Sequence, residues 1–133
     1  MIWNIKNDLH ELSTLSEGLE VFGKEAHIPH AVVSDITLAL EEVIINIISY
    51  GYNDCREHRI SVRLDRKDSA VMITVEDDGV AFDPLTIPSP NLATPLSERK
   101  IGGLGIHLVR QLMNTLAYQR VQGKNSLVMT KIF

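Results

Sequence analysis

Residues 30–53 read HAVVSDITLALEEVIINIISYGYN. Val32, Val33, Ile36, Leu38, Ala39, Leu40, Val43, Ile44, Ile45, Ile47 and Ile48 leave almost no polar face, the composition of a helix lying largely inside a core. Pro29 suits its first turn, where a missing N–H removes no intrahelical bond, and the helix is predicted to run to about Tyr50. The polar exceptions Asp35, Glu42, Asn46, Ser49 and Asn53 follow at spacings of seven, four, three and four, so they line one stripe. A buried helix with a single polar stripe has to face something wet along it.

The segments on either side supply the layers. Leu12, Leu15, Leu19, Phe22 and Ala26 recur at spacings of three and four and predict a helix over 8–27. Before it, residues 2–6 alternate briefly and predict an edge strand. After the buried helix, Ile60, Val62 and Leu64, then Val71, Ile73 and Val75, alternate about the polar turn at Lys67-Asp68 and predict an antiparallel hairpin. Residues 77–101 carry Pro84, Pro88, Pro90 and Pro95 and read as one long irregular loop. A further helix starts at Gly103 and carries Leu104, His107, Leu108, Gln111, Leu112 and Leu116. A second hairpin, 117–122 and 126–133, turns at Gln122-Gly123-Lys124-Asn125. The expected architecture is an α/β two-layer sandwich, a mixed sheet with helices on one face, forming a single domain over residues 1–133.

At 133 residues and 14.9 kDa the chain has room for one core, and its 44% hydrophobic content is that of a globular protein rather than a disordered one. A net charge of -4 and pI near 5.7 offer no basic surface for phosphate backbones, so no direct nucleic-acid partner is expected. Cys55 is alone, which excludes an internal disulfide and fits a reducing compartment. The N-terminus lacks the apolar run of a secretory signal and no stretch is long and apolar enough to cross a bilayer; no membrane partner and a cytoplasmic location are expected.

Three short signals carry chemistry. Glu42 and Asn46 stand one turn apart on an otherwise apolar helix: Asn46 can offer its amide oxygen to a hard cation such as Mg²⁺ while Glu42 accepts a proton, or the pair is simply a hydrated helix edge. Asp77-Asp78-Gly79-Val80-Ala81 lies where a strand stops, so Asp77 can point into a pocket as acceptor for an exocyclic amine, with Gly79 and Ala81 keeping the wall small. An acidic β-turn explains the same residues. Gly102-Gly103-Leu104-Gly105 opens a helix, where free N–H groups and the helix dipole favour a phosphate, or where glycines serve as a hinge.

Taken together and in this order, the signals resemble the ATP-binding (Bergerat-type) fold of the gyrase, Hsp90, histidine kinase and MutL superfamily, with an N-box in LALEEVIINIISYGY, a G1 box in DDGVAF and a G2 box in GGLGIHLVRQL. The ending GGLGIHLVRQLMNTLAYQRVQGKNSLVMTK is similar to that of the bacterial anti-sigma factor serine/threonine kinases, and the resemblance spans almost the whole chain. It implies ATP/ADP and Mg²⁺ as cofactors, Glu42 as general base, Asn46 as Mg²⁺ ligand, Asp77 as acceptor of the adenine amino group and Gly79 as part of the adenine pocket. Ala81 replaces the second glycine of the G1 box, and Phe82 beside it is placed to touch nucleotide. Gly103, Leu104 and Gly105 would close over the phosphates, and the loop from about Pro84 to Lys100 would form a lid. Arg99 or Lys100 can meet the γ-phosphate, or stand as a solvated basic pair.

The resemblance also implies partners: an antagonist protein of the STAS type that receives phosphate on a serine or threonine, and a sigma factor that is sequestered. A homodimer paired along strand 2–6 is a further expectation. The competing reading is a nucleotide-gated regulator that binds a protein without useful phosphoryl transfer.

Overall fold

In the computed structural model, which describes residues 1–86 and 103–133, the chain runs β1 (Ile2–Lys6), α1 (Glu11–Glu25), α2 (His30–Tyr50), β2 (Arg59–Lys67), β3 (Ala70–Asp77), a 3-10 turn (Pro84–Thr86), α3 (Gly103–Leu112), β4 (Thr115–Val121) and β5 (Lys124–Ile132). The strands form one sheet in the order β1-β2-β3-β5-β4. Alternate residues of its inner face, including Ile60, Val62, Leu64, Val71, Ile73 and Met129, are fully buried against Leu15, Leu19, Ile36, Leu40 and Ile44 of the helices. The opposite face carries polar or partly exposed residues such as Arg63, Met72 and Thr130. Two layers with all helices on one face follow, as expected.

The sheet is antiparallel at every pairing, where a mixed sheet was expected. Helix count explains it. One crossover helix returns a strand parallel to its predecessor; two successive helices, α1 and α2, reverse the chain once more and lay β2 antiparallel on β1. The single helix α3 does leave β4 pointing the same way as β3, but β5 inserts between them and pairs antiparallel with both.

Local chemistry sets the boundaries. Helix α1 ends in a Schellman turn: Ile28 N–H donates to the Gly23 carbonyl (2.9 Å) and His27 N–H to that of Lys24 (3.3 Å), with His27 in the left-handed region at φ 55°. Helix α3 stops at Leu112, not beyond Leu116 as the spacing suggested, because Asn114 N–H already donates to Thr130 of β5 (2.8 Å). Leu116 is therefore a β4 residue opposite Met129. The β4–β5 turn is two residues, Gln122 and Gly123, both at positive φ (53° and 76°), so Lys124 and Asn125 belong to β5 and not to the turn.

Candidate functional site

Where α2, the end of β3, the start of α3 and the β4–β5 ladder meet, the inner layer opens into a cleft of about 600 Å³, counting the part open to solvent. Its walls are apolar, with Val43, Ile47, Val75 and Ile106 among them, and among the described residues its polar side chains are few: Asn46, Tyr50, Asp77, Tyr118 and Asn125.

Asp77 ends β3 on the inner face and is buried, 6% exposed. Its Oδ1 accepts the Gly79 N–H (2.9 Å) and the Asn125 amide (3.0 Å). The segment after it has its backbone groups accounted for. Val80 N–H donates to the Gly51 carbonyl at the end of α2 (2.7 Å), Arg120 donates to the Gly79 carbonyl (2.8 Å), and the Asn125 amide donates to the Val80 carbonyl (2.8 Å). Gly79 was expected to leave room for a flat ring. The structure gives a different reason: a Cβ there would lie 2.3 Å from the Gly51 carbonyl oxygen, so glycine is what lets the two backbones meet.

At the other end of the cleft, Glu42 and Asn46 converge on Gly105 of α3. A Cβ at Gly105 would sit 2.6 Å from Glu42 Oε2 and 3.7 Å from Asn46 Nδ2. Both side chains are half-buried, and Asn46 Nδ2 is a buried donor with no partner among the described residues. A buried amide left unpaired costs free energy unless something completes it. An oxygen-rich ligand such as a phosphate with its cation does so, which makes this amide and the neighbouring carboxylate a fit for Mg²⁺ and phosphate.

The other expected residues separate. Phe82 lines the cleft and is half exposed (49%). Ala81, four residues beyond the end of β3, is exposed and is not among the residues that line the cleft. Gly103 and Leu104 form the first positions of α3. Arg99, Lys100 and nearly all of the expected lid lie outside the described residues.

Two groups were missed by sequence reasoning. Asn125 was read as a turn residue. His58 was read as one of several scattered histidines, yet its ring bridges Asp54 (Nε2 to Oδ1, 2.7 Å) and Asp78 (Nδ1 to Oδ1, 3.2 Å) and stacks on Tyr52 with centroids 4.2 Å apart. The Asp54 hydrogen bond, then that of Asp78, raises the imidazole above its ordinary 6.5, and the same bond lowers Asp54. Burial, reinforced by Asp77 and Asp78, pushes the Tyr52 phenol upward. Asp77 and Asp78 thus serve opposite sides of one strand end.

The family described as "Histidine kinase-like ATPase domain" matches residues 5–131. Serine/threonine-protein kinase BtrW of Bordetella bronchiseptica is 35% identical over 95 residues, 71% of this chain and 67% of that protein. An anti-sigma F factor of Clostridium kluyveri is 24% identical over 102 residues, 76% of this chain and 71% of that protein. Among solved structures, the RsbU and RsbW domains of Rv1364c from Mycobacterium tuberculosis match with a TM-score of 0.65 at 16% identity, over 99% of this chain and 32% of that one. The histidine kinase domain of a blue-light activated histidine kinase from Erythrobacter litoralis matches with a TM-score of 0.58 at 16% identity, over 93% of this chain and 60% of that one. At such identities the likeness is one of fold. Within the described residues, no helix is long and apolar enough to cross a membrane.

Proposed function

The chain belongs to the histidine kinase-like ATPase domain family, and on that premise we propose that it is a Mg²⁺-ATP-dependent protein kinase of the serine/threonine class. The adenine lies in the apolar part of the cleft with its amino group on Asp77, and the phosphates extend toward Glu42 and Asn46. The observation that carries this reading is the convergence of the Glu42 carboxylate and the unpartnered Asn46 amide on Gly105 of α3, where a side chain would fill the space they face.

Phosphoryl transfer asks mainly for positioning and charge stabilisation. Asn46 offers its carboxamide oxygen to Mg²⁺, which when bound neutralises phosphate charge. Glu42 takes the proton of the acceptor hydroxyl. The hydroxyl oxygen bonds to the γ-phosphorus, the bond from that phosphorus to the β–γ bridging oxygen breaks, and ADP leaves. The acceptor is a serine or threonine on an antagonist protein of the STAS type, and a sigma factor is the second partner; the similarity to proteins named anti-sigma F factor supports both. Strand β1, which pairs on one side only within the described residues, is the edge for a homodimer.

The test is Glu42→Gln, assayed for ADP binding and for phosphate transfer from ATP to such an antagonist. Binding is expected within about twofold of wild type and transfer down by about 10²–10⁴, the usual contribution of a general base. Transfer at the wild-type rate refutes the role of Glu42. A wild-type chain that binds nucleotide and transfers nothing is a nucleotide-gated regulator instead.

A further inference from the structure

Asn125 stands directly opposite Asp77 in the β3–β5 ladder, on the inner face, and is 7% exposed. Its four hydrogen-bonding capacities are all used. Nδ2 donates to Asp77 Oδ1 (3.0 Å) and to the Val80 carbonyl (2.8 Å); Oδ1 accepts the Tyr118 hydroxyl (2.5 Å) and the Phe82 N–H (3.3 Å). A primary amide has two N–H donors and two acceptor lone pairs, so nothing remains for a ligand. Its orientation is also dictated: flipped, the NH₂ would face the Phe82 N–H, and the oxygen would face a carboxylate and a carbonyl.

Deepening the adenine reading above and resting on it, we infer that Asn125 is a positioning residue that assigns the two oxygens of Asp77 and thereby sets the preference for a purine carrying an amino group. The Gly79 N–H and the Asn125 amide occupy Oδ1. Oδ2 makes no hydrogen bond among the described residues, and Asp77 lines the cleft, so Oδ2 is the acceptor left for the ligand. A carboxylate whose terminal torsion is soft exchanges its oxygens freely; two donors fixed on one oxygen remove that freedom. An acceptor held there pairs with a 6-amino group and opposes a 6-oxo group, and its reach is set by a residue that never touches the base.

The experiment compares ADP with purine riboside 5′-diphosphate, which has hydrogen in place of the 6-amino group, by calorimetric titration of wild type, Asn125→Ala and Tyr118→Phe. In wild type, ADP is expected to bind at least about tenfold tighter, the value of one hydrogen bond to a charged group. In Asn125→Ala the ratio is expected to fall below about threefold, while purine riboside diphosphate keeps its affinity within about twofold, because only the amino contact has been disturbed. Equal losses for both ligands, leaving the ratio unchanged, mean that Asn125 is merely structural and overturn the inference. Should Asn125→Ala not fold, Tyr118→Phe loosens the amide through its oxygen alone; a reduced ratio supports the inference and an unchanged one overturns it. A wild-type chain that does not distinguish the two ligands fails in a different way, since Asp77 is then no amino-group acceptor and the adenine reading falls with everything built on it.

Discussion

Gly79→Ala tests the closest backbone approach at the site. A methyl carbon 2.3 Å from the Gly51 carbonyl oxygen is about 1 Å nearer than an ordinary carbon–oxygen contact. The obstacle is backbone at the end of α2, so no rotamer change relieves it. Moving the two segments apart by that amount also stretches the 2.7 Å bond from Val80 N–H to the same oxygen past a useful length. Overpacking of this kind costs about 1–3 kcal/mol and a lost hydrogen bond about 1, so the expected destabilisation is about 2–4 kcal/mol. For a chain of 133 residues that is a fall in Tm of about 10 °C. The same Cβ lies 2.9 Å from Asp77 Oδ1, so ADP affinity should fall as well. Calorimetry of the apo protein provides the assay, with Gly123→Ala as reference: Gly123 has φ 76° and open space around it, so alanine there costs only the left-handed conformation, about 1 kcal/mol. If Gly79→Ala proves no more damaging than Gly123→Ala, the close approach is not a constraint and the reasoning is wrong.

Two further outcomes concern groups with incomplete or charge-dependent pairing. Asn46→Leu removes a buried donor that has no partner, so the apo protein should be as stable as wild type or more stable by about 1 kcal/mol, while the Mg²⁺-dependent stabilisation by ADP disappears; marked destabilisation of the apo form would show that the amide is satisfied after all. For the His58–Asp54 pair the signs are opposite. The raised histidine contributes stability that is complete below its ordinary 6.5 and is lost as pH rises through its higher folded value; the lowered Asp54 contributes above its ordinary 3.8 and is lost as pH falls through its lower folded value. Urea midpoints should therefore favour wild type over His58→Gln most between about pH 4 and 6.5, narrowing above, and an NMR titration of His58 with a midpoint at or below 6.5 would contradict the geometry.

The fold was legible where burial and period agree. Helix α2 is apolar on nearly every side, and no competing pattern fits its length; the β2–β3 hairpin alternates cleanly because one face is buried and the other wet. The reading failed where a tertiary bond decides. Leu112 and Leu116 are four apart, as a helix requires, but Asn114 is claimed by Thr130 of β5 and donates no helical bond. Sheet direction failed for a related reason. It depends on which strand inserts between β3 and β4, and no local period records that.

At the site, residues whose chemistry conflicts with their surroundings were legible: Glu42 and Asn46 stand out because an apolar helix has no use for them, and Asp77 because it closes an apolar alternation. Asn125 carried the same kind of signal and was lost to a turn of the wrong length. Once the turn is limited to Gln122 and Gly123, residues 125, 127 and 129 share a phase, and Leu127 and Met129 are core. A polar residue on the buried phase, opposite the buried acid Asp77, should then have been sought as that acid's partner, because neither group tolerates burial alone. That partner shares Oδ1 of Asp77 with the Gly79 N–H and, among the described residues, leaves Oδ2 without a hydrogen bond; the chain had to be paired across β3 and β5 before that could be seen.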